Sequence, residues 1–109
     1  MVHADELKAR KALLAGRVKR IRLCDPTPRD TPLFAVLSAG RTYHHVVVPG
    51  RYCSCPDFLF SVVIRRVKEK CYHMLAVEKA LRSGAAIEEE CWTAEKLARE
   101  LLKAMGGRL

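Results

Sequence analysis

The chain has no asparagine and no glutamine among its 109 residues. Those amides deamidate on heating, and their loss beside abundant Arg, Lys and Glu is a hyperthermophile habit. Long apolar runs are also missing. Stretches such as 46–48 and 62–64 are only a few residues long, far short of the roughly 20 a membrane span needs. The opening MVHADELKARK places charge where a secretory leader needs an apolar stretch, so the expected location is cytoplasmic. No GxSxG, P-loop or HExxH motif occurs, and no free carboxylate pair has a catalytic spacing. The expectation is a protein that is not an enzyme, with no small-molecule substrate and no membrane contact.

What the chain does have is positive charge. Lys plus Arg number 20 against 12 Asp plus Glu, a formal +8. On so short a chain this favours an anionic partner, nucleic acid first, over mere solubility. The excess sits in two blocks, RVKRIR at 17–22 and RRVKEK at 65–70, while the last quarter is slightly acidic. Glu69 is the only acid inside the second block, so little self-neutralisation is expected there. The candidate nucleic-acid contacts are Arg17, Lys19, Arg20, Arg22, Arg65, Arg66, Lys68 and Lys70.

Length and composition predict one domain, 1–109, with one core. Residues 4–15 read as a helix, with acids in the first turn, Gly16 past the end, and a thin apolar stripe through Leu7 and Leu14. Residues 17–24 read as a strand with Lys19, Ile21 and Leu23 on one face. DPTPRDTP at 25–32 reads as a loop. Strands at 33–38 and 42–48 flank the Ala39-Gly40 turn, and Pro49-Gly50 is expected to end the sheet. Asp57 then caps a helix through FLFSVVIRRVKEK, and CYHMLAVEKALRSG is helical to Gly84. Thr93 caps a last helix, 93–105, with Leu97, Leu101, Leu102 and Met105 at helical spacing and Gly106-Gly107 as its stop. The fold class is α+β: an N-terminal helix, a small antiparallel β-meander, a knuckle built on the Cys and His residues between 53 and 73, and C-terminal helices packed on one face.

The cysteines carry the sharpest signal. Cys53-Ser-Cys55 is followed, after fifteen residues, by Cys71-Tyr-His73. Three thiolates and an imidazole suit tetrahedral zinc, and with all four positions filled by protein the ion is structural, not catalytic. An extended Cys-x-Cys can point both sulfurs to one side, and a helix start at the second pair favours thiolate. Cys24 and Cys91 lie outside this set. They read first as buried free thiols, with a disulfide as the alternative that a hyperthermophile cytoplasm permits.

CSCPDF and CYHMLAV resemble the SWIM zinc finger, whose pattern is C-x-C, a variable gap, then C-x-H. Pro56, Asp57 and Phe58 match its Pro-Asp-aromatic, and Leu75, Ala76 and Val77 its aliphatic-Ala-aliphatic. The likeness covers about residues 33–82 well and 10–32 loosely. Tyr72 stands where the family often has Lys, and the FLFSVVIRRVKEK segment replaces a small glycine turn. The resemblance implies zinc on Cys53, Cys55, Cys71 and His73, and a domain that binds DNA or mediates protein contacts. It also includes small proteins that act with a recombinase-type ATPase.

Two function classes follow. One is zinc-stabilised nucleic-acid binding, DNA or RNA, with both basic blocks gripping phosphates. The other is a protein-interaction adaptor, such as a partner of a recombinase-type ATPase, that docks through apolar faces of the first and last helices; this reading gains if most of Leu7, Leu14, Leu101, Leu102 and Met105 are exposed. His44 and His45 alternate faces, so at most one can reach a shared site. Trp92 reads as the anchor of the last helix, and Phe58 and Phe60 as core.

Overall fold

The computed structural model describes residues 2–24, 27 and 29–104. Asp25, Pro26 and Pro28 of the expected loop, Met105, and the Gly106-Gly107 stop lie outside the described residues. The elements are α1 (Val2–Leu14), β1 (Val18–Leu23), β2 (Arg29–Leu37), β3 (His44–Val48), β4 (Tyr52–Cys53), a π-helical segment (Phe58–Ile64), α2 (Tyr72–Ser83), β5 (Glu88–Trp92) and α3 (Ala94–Ala104). The α+β class holds. The sheet is larger than the expected meander, with five strands in the order β4-β3-β2-β1-β5.

The fifth strand is the main correction. The run EEECW at 88–92 has poor strand propensity by itself, yet β5 runs parallel to β1 with Lys19 opposite Glu88 and Leu23 opposite Trp92. Charge makes the pairing favourable. Lys19 Nζ lies 2.6 Å from Glu90 Oε2 and 3.7 Å from Glu88 Oε1. Burial pushes the Glu90 carboxyl up, but the bonded Lys19 ammonium outweighs it and holds Glu90 below the usual carboxylate range. The same register brings Cys24 and Cys91 together as a disulfide with Cα atoms 5.6 Å apart. The free-thiol expectation is thereby overturned, and neither residue is buried.

The loop expected at 25–32 is shorter than that, because β2 already begins at Arg29. Its register with β1 slips between Arg20 and Arg22, leaving an irregularity around Thr31 to Leu33. Proline within a strand is tolerated at such a bulge, and Pro32 sits there. The Thr31 hydroxyl donates to Ile21 O at 2.7 Å and accepts from Leu33 N–H at 3.1 Å, replacing ladder bonds. Pro49-Gly50 does not end the sheet either. Gly50 takes φ +74°, and the chain turns back into β4, which carries Cys53.

Both sheet faces are covered, which corrects the expectation of helices on one face. Phe34, Val36, Val47 and Val18 face α1 and α2 with Ala9, Ala12, Met74, Ala76, Val77 and Ala80. Ile21, Ala35 and Val46 face the other way, against Trp92 and the half-buried Leu97 and Leu101 of α3. Trp92 is the anchor its position predicted. Strand alternation sends Lys19 and Ile21 to one face as expected, while Val18 serves the opposite core.

The helix caps follow the sequence. Lys96 N–H donates to Thr93 Oγ1 at 3.0 Å, and Gly84 ends α2 in the left-handed conformation at φ +66°. In α1 the apolar stripe is misplaced. Ala9, Ala12 and Leu13 pack inward, and Leu7 and Leu14 are exposed. Small alanines allow α1 to approach α2 closely, where leucine would hold it away. Among the described residues no helix is long and apolar enough to cross a membrane.

Candidate metal centre

The hairpin β3–β4 and the start of α2 build the centre. Ser54 N–H donates to Val46 O at 3.0 Å, and Val46 N–H donates to Ser54 Oγ at 2.9 Å. These bonds lock the residue between Cys53 and Cys55 onto β3, so the pair is held by the sheet. Cys71 is the extended residue that precedes α2 (φ −81°, ψ 170°), and His73 lies in the first turn. The ligand atoms of Cys53, Cys55, Cys71 and His73 all lie within 4.8 Å of one another, and all four residues are buried. A zinc tetrahedron with bonds of about 2.3 Å to sulfur and about 2.0 Å to nitrogen has sulfur–nitrogen edges of about 3.5 Å. Cys71 Sγ and His73 Nδ1, 3.9 Å apart, are close to such an edge.

Cys55 is driven toward thiolate by hydrogen bonds from Cys53 and then Cys71. Cys53 is driven up by its bond to Cys55, then Cys71, then burial. At Cys71 the bond with Cys53 lowers the pKa, but the bond to Cys55, burial and the Cys55 charge prevail and push it up to about 12. His73 Nε2 is buried without a hydrogen-bond partner. A soft donor set of three sulfurs and one imidazole nitrogen, all buried and close together, fits Zn2+. Zinc bound here would neutralise the thiolates and complete the core, with no ligand position left for chemistry.

The surroundings of the ligands are ordered. Phe58 N–H donates to Cys55 Sγ at 3.4 Å. The rings of Tyr72 and His45 each lie 4.0 Å from the His73 ring. Burial, and then His73, lower the His45 pKa to about 4, so His45 is neutral at neutral pH. His44 points to the other face and bonds Glu100 through Nδ1 at 2.8 Å. Strand alternation therefore sends one histidine to the centre, and the sequence had not singled out its packing role there.

Residues 44–82 match the family model of the SWIM zinc finger. The matched segment contains all four candidate ligands and ends one residue before the close of α2. It begins later than the likeness drawn from about residue 33. No curated protein and no solved structure matches the chain.

Beyond the SWIM ligands, the basic candidates are dispersed. Lys19 is held by β5, Arg22 pairs with Asp30 at 3.2 Å, Lys68 pairs with Asp5 at 2.7 Å and with Asp57, and Lys70 pairs with Glu78. Little self-neutralisation was expected of the second block, but acids outside it, Asp5, Asp57 and Glu78, supply it. Arg17 donates to Leu37 O at 2.9 Å and reaches Tyr72 OH at 3.4 Å, and Arg20 lies over the Phe34 ring. Arg65 and Arg66 are exposed and have no ion pair among the described residues.

The second pair of cysteine and histidine ligands is entered through a different element from the one expected. Asp57 is itself in helical backbone (φ −61°, ψ −37°) and makes no cap bond, and the winding over Phe58–Ile64 is π-helical and ends there. RRVKEK is irregular. Phe58 packs on the core and Phe60 is half exposed, against the expectation that both are core.

Zinc affinity is expected to rise steeply with pH. The raised Cys53 and Cys71 thiols must each lose a proton on binding, so protons compete more as pH falls. Two released protons change affinity about a hundredfold per pH unit between about pH 6 and pH 8. Competition with a chelator of known affinity measures it, and a flat profile rules out thiol ligation.

Proposed function

We propose that the protein is a zinc-stabilised, non-catalytic module that binds the phosphate backbone of nucleic acid. The observation that carries this reading is the exposed Arg65–Arg66 pair. Arg66 sits at φ +54° between the π-helix and the ligand Cys71, so the zinc-bound loop presents it. The formal +8 supplies the long-range attraction. Four of the eight candidate residues are held by the chain's own carboxylates, which narrows the footprint to about two or three phosphates.

The expected slope of log affinity against log salt on duplex DNA is then about −2 to −3. Arg65→Ala with Arg66→Ala should weaken binding for all sequences alike, because phosphate contacts carry no sequence information. Lys96→Ala with Lys103→Ala should do little. Titration of both double variants on duplex DNA and structured RNA, at two salt concentrations, decides it. Equal losses from the two, or no binding at low salt, would refute the reading.

A second reading, a protein-interaction adaptor, is favoured by an observation of its own. It is not the α1 and α3 faces that support it. Leu7 and Leu14 are exposed, but Leu101 and Leu102 are half-buried, and Leu101 packs against the second core. The support comes from the segment 59–67, whose apolar side chains face solvent.

A further inference from the structure

Nine large apolar residues are exposed among the described residues, and five of them fall between 59 and 67. Leu59, Phe60, Val63, Ile64 and Val67 are 49, 50, 48, 60 and 71% exposed. Residues 58, 61 and 62 of the same segment are half-buried. The π-helical repeat explains the division. Arg65 N–H bonds Phe60 O at 2.8 Å, five residues back, and this winding stacks residues four and five apart into one outward ridge. Isolated surface apolars need no explanation, whereas a contiguous patch marks an interaction site.

The ridge is held rigid. The Ser61 hydroxyl donates to Asp57 Oδ1 at 2.8 Å. Lys68 ties the far end to Asp57 and to Asp5 of α1. Phe58 is packed on the core beneath. A space of about 650 Å³ opens beside it, lined by Asp5, Ser61, Val67, Lys68, Glu69, Lys70 and Leu75. A pre-ordered surface with a concave flank binds without the entropy cost of ordering a loop.

We propose that this ridge docks an acidic amphipathic helix of a partner protein, its apolar face on Leu59, Phe60, Val63 and Ile64 and its carboxylates on Arg65 and Arg66. The inference rests on the adaptor reading and gives it a site. Charge selects the occupant. The two arginines stand at the C-terminal end of the ridge and pair with no acid among the described residues, and guanidinium forks suit carboxylates. A second copy would bring like pairs of arginines together between chains of +8 each. Nucleic acid has no use for four aliphatic side chains, since only Phe60 offers a ring to stack on. Burying apolar anchors from one helix face is the helix-in-groove mode of recognition. The partner and nucleic acid would compete for Arg65 and Arg66.

The test uses the zinc-loaded full chain, a synthetic helix with leucines at i, i+3, i+4 and i+7 and glutamates elsewhere, and the same helix with lysines for glutamates. Amide shifts in NMR should map to 59–67 with the acidic helix and be absent with the basic one. Leu59→Ser with Ile64→Ser should weaken that binding about tenfold while leaving zinc content, Tm and affinity for duplex DNA unchanged. Arg65→Ala with Arg66→Ala should weaken both ligands. Unchanged helix binding in the Leu59/Ile64 variant overturns the site but leaves the adaptor reading standing. Failure of the acidic helix to bind at all overturns both. Equal binding of the two helices, dimerisation lost in the Leu59/Ile64 variant, or ridge-dependent binding to phosphatidylserine vesicles without helix binding would each overturn the acidic-helix assignment.

Discussion

Chelation of zinc, or Cys55→Ser, is expected to unfold the protein. Cys53, Cys55 and Cys71 are part of the larger core, in contact with the same cluster as Val47, Met74 and Val77. Without the cation, burial and mutual repulsion oppose three thiolates there, and protonating them leaves polar sulfurs inside without their common partner. Structural zinc supplies about 10–16 kcal/mol in small sites, against about 5–15 kcal/mol for a whole domain. The loss should not stay local, because β1, β2 and β3 serve both cores. Circular dichroism and metal analysis on the same sample measure it. A chain that keeps its helix signal and cooperative melting at a zinc-to-protein ratio near zero would refute the assignment.

Replacing both Cys24 and Cys91 with serine should leave zinc content intact and still cost about 4 kcal/mol in the oxidised protein. The disulfide spans 67 positions and closes the parallel pairing of β1 with β5. Opening that loop frees the unfolded chain, and for a domain of this size the loss corresponds to a fall in Tm of about 20 °C. Reductant should bring the wild type down to the variant, without releasing zinc. Zinc loss in the variant would show that the ligand set is misread. An unchanged Tm would show that the bond contributes nothing.

Legibility in the sequence followed the range of each signal. The ligands needed only a spacing and the chemistry of sulfur and imidazole, so Cys53, Cys55, Cys71 and His73 were readable and are brought together. Gly84 and Thr93 mark helix ends by local backbone bonding and were readable too. The Cys71-to-His73 half of the centre also starts the helix it was expected to start. Pro49-Gly50 misled, because the same residues can stop a strand or turn it, and only pairing with β3 selects the turn. Asp57 misled because its carboxylate accepts from the Ser61 hydroxyl instead of capping, and residue type alone does not say whether the turn that follows winds as α or π.

The sequence by itself determined the zinc ligands, the α+β class, the helix caps and the surplus of positive charge. The tertiary structure alone decided that the acidic 88–90 run becomes a parallel strand against Lys19, that Cys24 meets Cys91, and that helices cover both sheet faces. It also decided which cations are neutralised and that 59–67 turns its apolar side chains outward. The reason is physical. Spacing, capping and turn chemistry act over a few residues, while these pairings join segments more than 60 residues apart. Such contacts depend on the closure of the whole chain, and no local preference encodes them.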